Sequence, residues 1–167
     1  MKKHISFVLI TISIIAVTFS SCRKDDDEKT PKDFLTEGQW KITDIELDPG
    51  IETVPGLPPI KDVYNFVFTE DCQKDDLIIF NTDGTITEDE GALKCNPDDP
   101  QSVTENTWTM NEDETTINAT FFGLDSGSAD IIMLNENIFE FSTTALPDFV
   151  TQMGIENQTI TITMVKQ

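Results

Sequence analysis

Residues 77–87, with the sequence LIIFNTDGTIT, give the clearest indication of the fold class. An apolar, β-prone run is followed by a polar turn sequence and then by renewed alternation, which predicts a β-hairpin. A two-residue turn at Asp83-Gly84 would place Phe80 and Ile86 on opposite faces. A three-residue loop, residues 82–84 with Gly84 in the left-handed conformation, pairs Phe80 with Ile86 on one buried face. We therefore predict the three-residue loop.

The same hairpin segment has a partial likeness to a calcium-binding loop. Asn81, Asp83, Gly84 and Glu90 fall at positions three, five, six and twelve of an EF-hand pattern. Position one would be Ile79, which has no carboxylate, and the second half of the segment is rich in β-branched residues. The sequence therefore favours a hairpin, and we predict no metal site here.

The rest of the chain is a series of short β-like runs separated by polar turns, without helical periodicity over a long window. The predicted fold class is all-β, and eight strands is the count of a small closed antiparallel barrel. The candidate strands are residues 40–47, 77–80, 85–88, 107–110, 115–122, 129–134, 138–142 and 159–165. Alternation and aromatic content predict core positions at Ile117, Ala119, Phe121, Phe139, Phe141, Ile160, Ile162 and Met164.

Two stretches depart from this strand pattern. Residues 48–59 are rich in Pro and Gly and precede a short helix or strand at residues 62–68. Such a long connection is either a lid over the open end of a barrel or a surface excursion. Residues 144–155 are predicted to contain one helical turn that begins near Pro147.

The N-terminus has the parts of a secretory signal: a basic start, an apolar run over residues 5–19, and small residues before Cys22. The apolar run is short for a membrane span. The segment resembles the processing site of bacterial lipoproteins, which implies cleavage after Ser21 and acylation of Cys22. An acidic run follows at residues 25–28. It resembles the surface-export signal of Bacteroidota lipoproteins, and an ordinary solvated tether is the alternative.

These features predict three regions. Residues 1–21 are the lipoprotein signal peptide, residues 22–33 are a flexible acidic tether, and residues 34–167 are the barrel domain. The predicted location is the outer membrane, lipid-anchored and displayed at the cell surface. The predicted membrane contact is through the lipid anchor alone.

Charge and histidine content exclude several functions. Removing residues 1–21 takes away two of 11 basic side chains and none of 31 acidic ones, which leaves a formal charge of −22. Such a surface repels phosphate, so we predict no nucleic-acid partner. The single histidine, His4, lies in the signal segment. Histidine-dependent catalysis and histidine-ligated metals are thereby excluded from the mature chain.

Cysteine use gives one further expectation. With Cys22 assigned to lipid, Cys72 and Cys95 remain as an even pair in an oxidising compartment, where a disulfide is expected. A two-cysteine metal site is the weaker alternative, because no second pair of ligands accompanies it.

The residues together resemble a known family. Residues 35–40 contain a Gly-x-Trp opening at Gly38 to Trp40, and this is followed by Cys72, Cys95 and Trp108. This ordered set resembles the lipocalin-like domains of Bacteroidota lipoproteins over roughly residues 34–166. The resemblance implies an eight-stranded antiparallel lipocalin-like barrel, with the first tryptophan under a basic residue near the last strand. Lys166 is the only late basic residue, and Trp40 and Trp108 are assigned to barrel packing.

Three classes of function remain, and the first of them is the one that the resemblance implies. The prediction is a non-enzymatic module that binds a small apolar ligand in the barrel, without a cofactor or a metal. The alternative is an interaction protein, such as an accessory subunit of an outer-membrane complex, which would use the acidic surface to bind a protein partner. An enzyme with a pair of carboxylates is the third class, but 31 acidic residues offer no particular pair.

Overall fold

The computed structural model describes residues 28–120, 127–144 and 158–167, which form short helices and a strand-rich body. The helices are α1 (Pro31–Thr36), α2 (Tyr64–Val67) and α3 (Asp71–Lys74). The strands are β1 (Gln39–Ile51), β2 (Ile60–Asp62), β3 (Leu77–Phe80), β4 (Thr85–Asp89), β5 (Ser102–Met110), β6 (Thr116–Ala119), β7 (Gly127–Leu134), β8 (Ile138–Thr143) and β9 (Thr159–Lys166). None of the helices in these described ranges has the length and apolarity needed to cross a bilayer.

The strands form an antiparallel barrel. Strands β1 and β3 to β9 follow one another around the sheet, and β9 pairs back onto β1 from Trp40↔Lys166 to Asp48↔Thr159, which closes it. Strand β2 lies outside this circle and pairs with the distal part of β1. The predicted eight-stranded antiparallel barrel is therefore confirmed.

Strand β1 is shared unequally between its two barrel neighbours. It pairs with β9 at eight positions but with β3 at only two, Gln39↔Ile79 and Trp40↔Ile78. A register shift between Ile42 and Asp44 marks a bulge, which bends a strand. Beyond this point α2 and α3 pack against β1 in place of a barrel strand. The barrel is therefore split between β1 and β3.

The hairpin of β3 and β4 has the predicted register. Phe80 pairs with Ile86, and Gly84 has a φ of 87°, in the left-handed region where glycine is not strained. The Asp83 carboxylate accepts hydrogen bonds from the backbone N–H and the hydroxyl of Thr85 at 3.0 and 2.7 Å. The predicted hairpin, with its three-residue loop, is confirmed.

Each of the eight predicted strands is present, together with three elements that were not predicted. These are β2, α1 and α3, and α1 includes residues 31–33, which were assigned to the tether. The ambiguous segment at residues 62–68 contains α2. The predicted turn near Pro147, the core position Phe121, the signal segment and Cys22 lie outside the described residues.

Side chains fill the interior of the barrel. The largest of them have at most 1 % of their surface exposed, so they contact neighbours on all sides. Aromatic rings form a continuous chain, with Phe139 at 6.0 Å from Trp40 and 5.9 Å from Phe80, both edge to face. The fully buried side chains are Leu35, Trp40, Ile45, Leu47, Phe80, Ile86, Phe139, Phe141, Ile160, Ile162 and Met164.

Helix α1 covers one end of the barrel, which we call the closed end. Thr30 and Asp33 form a capping box at its start, and the Trp40 indole N–H donates to the Leu35 carbonyl at 2.8 Å. The Lys166 ammonium lies 5.7 Å from the centre of the Trp40 ring. The Lys166 side chain crosses Gly38 so closely that any Cβ there would collide with it. The tryptophan under a basic residue, implied by the family resemblance, is therefore present.

We expect Phe139→Ala to lower the free energy of unfolding by about 3–5 kcal/mol, because it leaves a cavity at the centre of the aromatic chain. The matched control is Phe66→Ala in α2, where the ring is 59 % exposed and the expected change is below about 0.5 kcal/mol. Urea denaturation followed by tryptophan fluorescence measures both. Equal effects of the two substitutions would contradict the assigned core.

Candidate functional site

A pocket of about 150 Å³ lies in the split between β1 and β3, toward the end of the barrel opposite α1, which we call the open end. It is bounded by the first half of β3, the last residues of β4, the first residues of β5, and α3. The residues that line it are Ile42, Phe68, Gln73, Lys74, Asp76, Leu77, Ile78, Glu88, Asp89, Glu90, Pro100, Gln101, Ser102 and Val103.

The deep part of the pocket is apolar. Ile42 and Ile78 are 6 % and 7 % exposed and belong to the barrel core. Phe68 packs against that core, and Leu77 is half-buried beside it. Val103, 37 % exposed, forms part of the rim. An apolar body can therefore be removed from water here.

The rest of the lining is strongly acidic. Asp76, Glu88, Asp89 and Glu90 all contribute to it, whereas Lys74 is the one cation among the lining residues. The Lys74 ammonium also lies 4.0 Å from Asp71, an exposed residue on the same helix. The pocket therefore has a net negative charge and favours a positive group over an anion.

Three of these four carboxylates are already hydrogen-bonded. The Asn106 amide donates to Glu88 at 2.6 Å. Asp89 accepts from the Gly91 backbone N–H at 2.9 Å, and Glu90 accepts from that of Cys95 at 3.3 Å. Each carboxylate is thereby held in one orientation.

Asp76 differs from the other three acids. Its Oδ1 atom is buried and has no hydrogen-bond partner among the residues that the structure describes. A buried polar atom without a partner is costly, so this oxygen is available to a donor that enters the pocket. Burial, and after it the negative charges of Glu90, Asp75, Glu88 and Asp89, together raise the pKa of Asp76 to about 7. Asp76 therefore changes its charge near neutral pH.

The described residues do not bring the pocket acids together as a metal site. Among them, the group of three acidic, cysteine or histidine ligands that meets a metal-like spacing is Glu70, Cys72 and Cys95. The two sulfurs of that group are bonded to each other, so they cannot act as thiolate ligands. The alternative of a two-cysteine metal site is therefore wrong, and the predicted disulfide is confirmed.

The other predicted site residues lie away from the pocket. Trp40 is in the core at the closed end, and Trp108 packs edge to face on Phe80 at 5.9 Å. The Trp108 indole N–H donates to the Asn81 carbonyl at 3.0 Å. Cys22 lies outside the described residues, so its lipidation stays a prediction.

The sequence analysis did not identify the pocket acids. A usable signal was present, because side chains two residues apart in a strand share a face. On β3, Ile78 and Phe80 face inward, and Asp76 lies two residues before Ile78. On β4, Ile86 faces inward, and Glu88 and Glu90 follow it at steps of two residues. The same period therefore extends the inward face into acidic residues on both strands.

A family model described as the lipocalin-like domain matches residues 36–141, more than half of the 167-residue chain. The barrel and the closed-end tryptophan agree with that match, and the chain belongs to the lipocalin-like domain family. No curated protein matches the sequence significantly.

We expect the stability of the wild type relative to Asp76→Asn to fall as pH rises from 4.5 to 8. Because the pKa of Asp76 is about 7 in the folded state, against 3.8 ordinarily, the folded state binds the proton more tightly. Between these two values the unfolded chain has released the proton while the folded protein still holds it, so the stability falls up to about pH 7 and levels off above it. Asparagine carries no charge at any of these values.

Urea denaturation at pH 4.5, 6 and 8 measures this difference. Asp130→Asn is the matched control, since Asp130 is exposed on β7, across the barrel from the pocket. The raised pKa of Asp76 would be contradicted if the difference in the free energy of unfolding between wild type and Asp76→Asn did not change with pH. It would also be contradicted if the wild type became more stable relative to Asp76→Asn as the pH rises.

Proposed function

We propose that this protein is a lipid-anchored lipoprotein of the cell envelope whose lipocalin-like barrel binds a small ligand with an apolar body and a cationic group. The observation that carries the proposal is the pocket between β1 and β3, where an apolar floor lies beside the unpartnered Asp76 oxygen. The role is non-enzymatic binding, for which the barrel provides a rigid frame.

The pocket lies at the open end of the barrel and does not extend through the core. Residues such as Phe139, Phe141 and Ile162 occupy the axis and have at most 1 % of their surface exposed. Ligand binding is therefore expected in the split between strands. Its volume of about 150 Å³ is below the roughly 300–1,000 Å³ of pockets for drug-sized molecules, so the ligand, or its inserted part, is small.

The charge of the lining refines the predicted ligand from an apolar molecule to an apolar amine. A short alkyl body would cover Ile42 and Ile78, while an ammonium group would donate to Asp76. Glu88, Asp89 and Glu90 add an attractive field around the same group. A carboxylate or phosphate ligand would face repulsion from all four acids.

A second candidate is an interaction protein that binds a protein partner. Several large apolar side chains are exposed on the connections around α2 and the open end, on an otherwise acidic protein. They are Val54, Leu57, Phe66 and Leu93, between 50 % and 61 % exposed. Native mass spectrometry of the delipidated domain from its own host distinguishes the two, because a bound small molecule would support the first.

The proposed anchor rests on residues 20–22, a Ser-Ser-Cys sequence directly after an apolar run. Each buried methylene contributes roughly 0.8 kcal/mol, so several acyl chains on Cys22 would give stable attachment. The acidic run after Cys22 supports display at the cell surface, and protease treatment of intact cells distinguishes that face from the periplasmic one.

The ligand proposal is tested with three six-carbon probes that differ only in their head group: hexylammonium, hexanol and hexanoate. We expect hexylammonium to bind most tightly at pH 8 and hexanoate not to bind. Asp76→Asn should weaken hexylammonium binding about tenfold, which corresponds to about 1.4 kcal/mol, through loss of a charged hydrogen bond. Lowering the pH to 5.5 should have the same direction of effect, because Asp76 becomes protonated below its pKa of about 7.

Isothermal titration calorimetry measures these affinities, with Asp130→Asn as the control that should bind like the wild type. Equal affinity for the ammonium and the alcohol, or no effect of Asp76→Asn, would contradict the proposed cation site.

The anchor is tested separately in cells. We expect Cys22→Ala to move most of the protein from the membrane to the soluble fraction, because the acyl chains have no attachment atom. Ser21→Ala keeps a small residue before the cysteine and should leave the protein on the membrane. Membrane fractionation with intact-protein mass measurement checks both variants. Unchanged membrane retention of Cys22→Ala would contradict lipidation.

A further inference from the structure

Two segments outside the barrel strands form the outer wall of the pocket. One is α3 with the following Asp75 and Asp76, and the other is the connection of residues 90–101 between β4 and β5. We call these two segments together the clasp. Between them they contribute Gln73, Lys74 and Asp76 on one side and Glu90, Pro100 and Gln101 on the other.

The clasp is held by a few local contacts. The Cys72–Cys95 disulfide joins its two segments covalently. Beside it, the Asp75 carboxylate accepts hydrogen bonds from the backbone N–H groups of Ala92 and Leu93 at 2.8 and 2.9 Å. Gly91 lies so close to the Asp75 carbonyl that any side chain at this position would collide with it.

Repulsion between like charges opposes the contact between the two segments of the clasp. Asp75 and Asp76 on the first segment lie near Glu88 and Asp89 at the end of β4 and Glu90 on the second segment. Burial first, and then these like charges, hold the pKa of Asp76 well above its ordinary value. Lys74 supplies one positive charge, which it shares with the exposed Asp71. The disulfide therefore joins two walls that repel each other when their carboxylates are ionised.

The strands of the barrel are held together by their own pairing and not by the disulfide. The enclosed strands β3 and β4 pair directly at four positions, from Leu77↔Asp89 to Phe80↔Ile86. Closure of the sheet is made by β1 and β9, which lie outside the 23-residue separation that the disulfide spans. The barrel core and the clasp are thus stabilised by separate interactions.

Cys95 is exposed to solvent, and Cys72 is partly exposed. A thiolate of an external dithiol can therefore attack the Cys95 sulfur, which breaks the bond to Cys72 and forms a mixed disulfide. The second thiol of the dithiol then displaces Cys95. Two electrons pass from the dithiol to the protein, the dithiol becomes a disulfide, and both protein thiolates take up protons according to pH.

We propose that the Cys72–Cys95 disulfide is a redox switch of the pocket, in which reduction opens the clasp and lowers ligand affinity while the barrel stays folded. This inference rests on the proposed function for its effect on ligand, since the same pocket is the proposed binding site. The opening of the clasp itself does not require that a ligand is known.

Hydrogen exchange without ligand tests the opening directly. After reduction with dithiothreitol, we expect the Ala92 and Leu93 amides to exchange at least about tenfold faster, because their hydrogen bonds to Asp75 depend on the closed clasp. Amides of β8 and β9 should keep their exchange rates. The double variant Cys72→Ser with Cys95→Ser should match the reduced wild type and should not respond to dithiothreitol.

Unchanged exchange at Ala92 and Leu93 after reduction would overturn the switch, and so would equal acceleration in β8 and β9, which would mean that the whole barrel opens. Reduction of the folded wild type gives this answer even where the double variant does not fold. Hexylammonium titration then measures the consequence, and we expect at least a tenfold rise in its Kd on reduction.

The two proposals can fail independently. If hexylammonium does not bind the oxidised protein while the exchange result is positive, the ligand assignment is wrong and the switch stands. If hexylammonium binds the oxidised and the reduced protein equally, the switch is overturned and the ligand assignment stands.

Discussion

The unequal pairing of β1 determines the rest of this structure. Its long ladder with β9 closes the barrel, while its pairing with β3 ends at Trp40, next to the bulge between Ile42 and Asp44. A closed barrel has no free edges, so a strand that leaves one neighbour needs another partner. Here α2, α3 and β2 take that place. The pocket is lined by α3 and by Phe68, which follows α2, together with β1, β3, β4 and β5.

This arrangement separates stability from binding. The aromatic chain around Phe139 fills the axis and is far from water, as in other close-packed cores. The pocket has few such contacts and instead carries held carboxylates and an unpartnered Asp76 oxygen. Natural proteins tolerate the free-energy cost of such a buried, unpaired oxygen at functional sites. In a small barrel, a site at the open end leaves the core intact, whereas a site that extended along the axis would require smaller side chains there.

Local sequence signals predicted much of this fold. The register of the β3 and β4 hairpin followed from a single argument about Phe80 and Ile86, and the inward positions of β9 followed from strict alternation. The disulfide between Cys72 and Cys95 was predicted from the oxidising compartment and from the even number of cysteines that remain after Cys22 is assigned to lipid. These predictions succeed because each depends on residues close in sequence or on one period.

The pocket could not be predicted in the same way. Its position depends on where β1 stops pairing with β3, which is a long-range event without a local signature. Helix α1 was also missed, because six residues are too few for helical periodicity, although Thr30 and Asp33 carry a capping box. Lys166 could be named as the only late basic residue, but its contact with Trp40 depends on the pairing of the first and last strands.

The chain enters the barrel at α1, on the side opposite the pocket. Residues 22–30 could extend over at most about 30 Å from an acyl group on Cys22 to this helix. With the proposed lipid in the bilayer, this length would keep α1 within about 30 Å of the headgroups and leave the open end, on the opposite side of the barrel, accessible from the surrounding medium. A molecule would then arrive from solution and would not need to pass through the lipid layer.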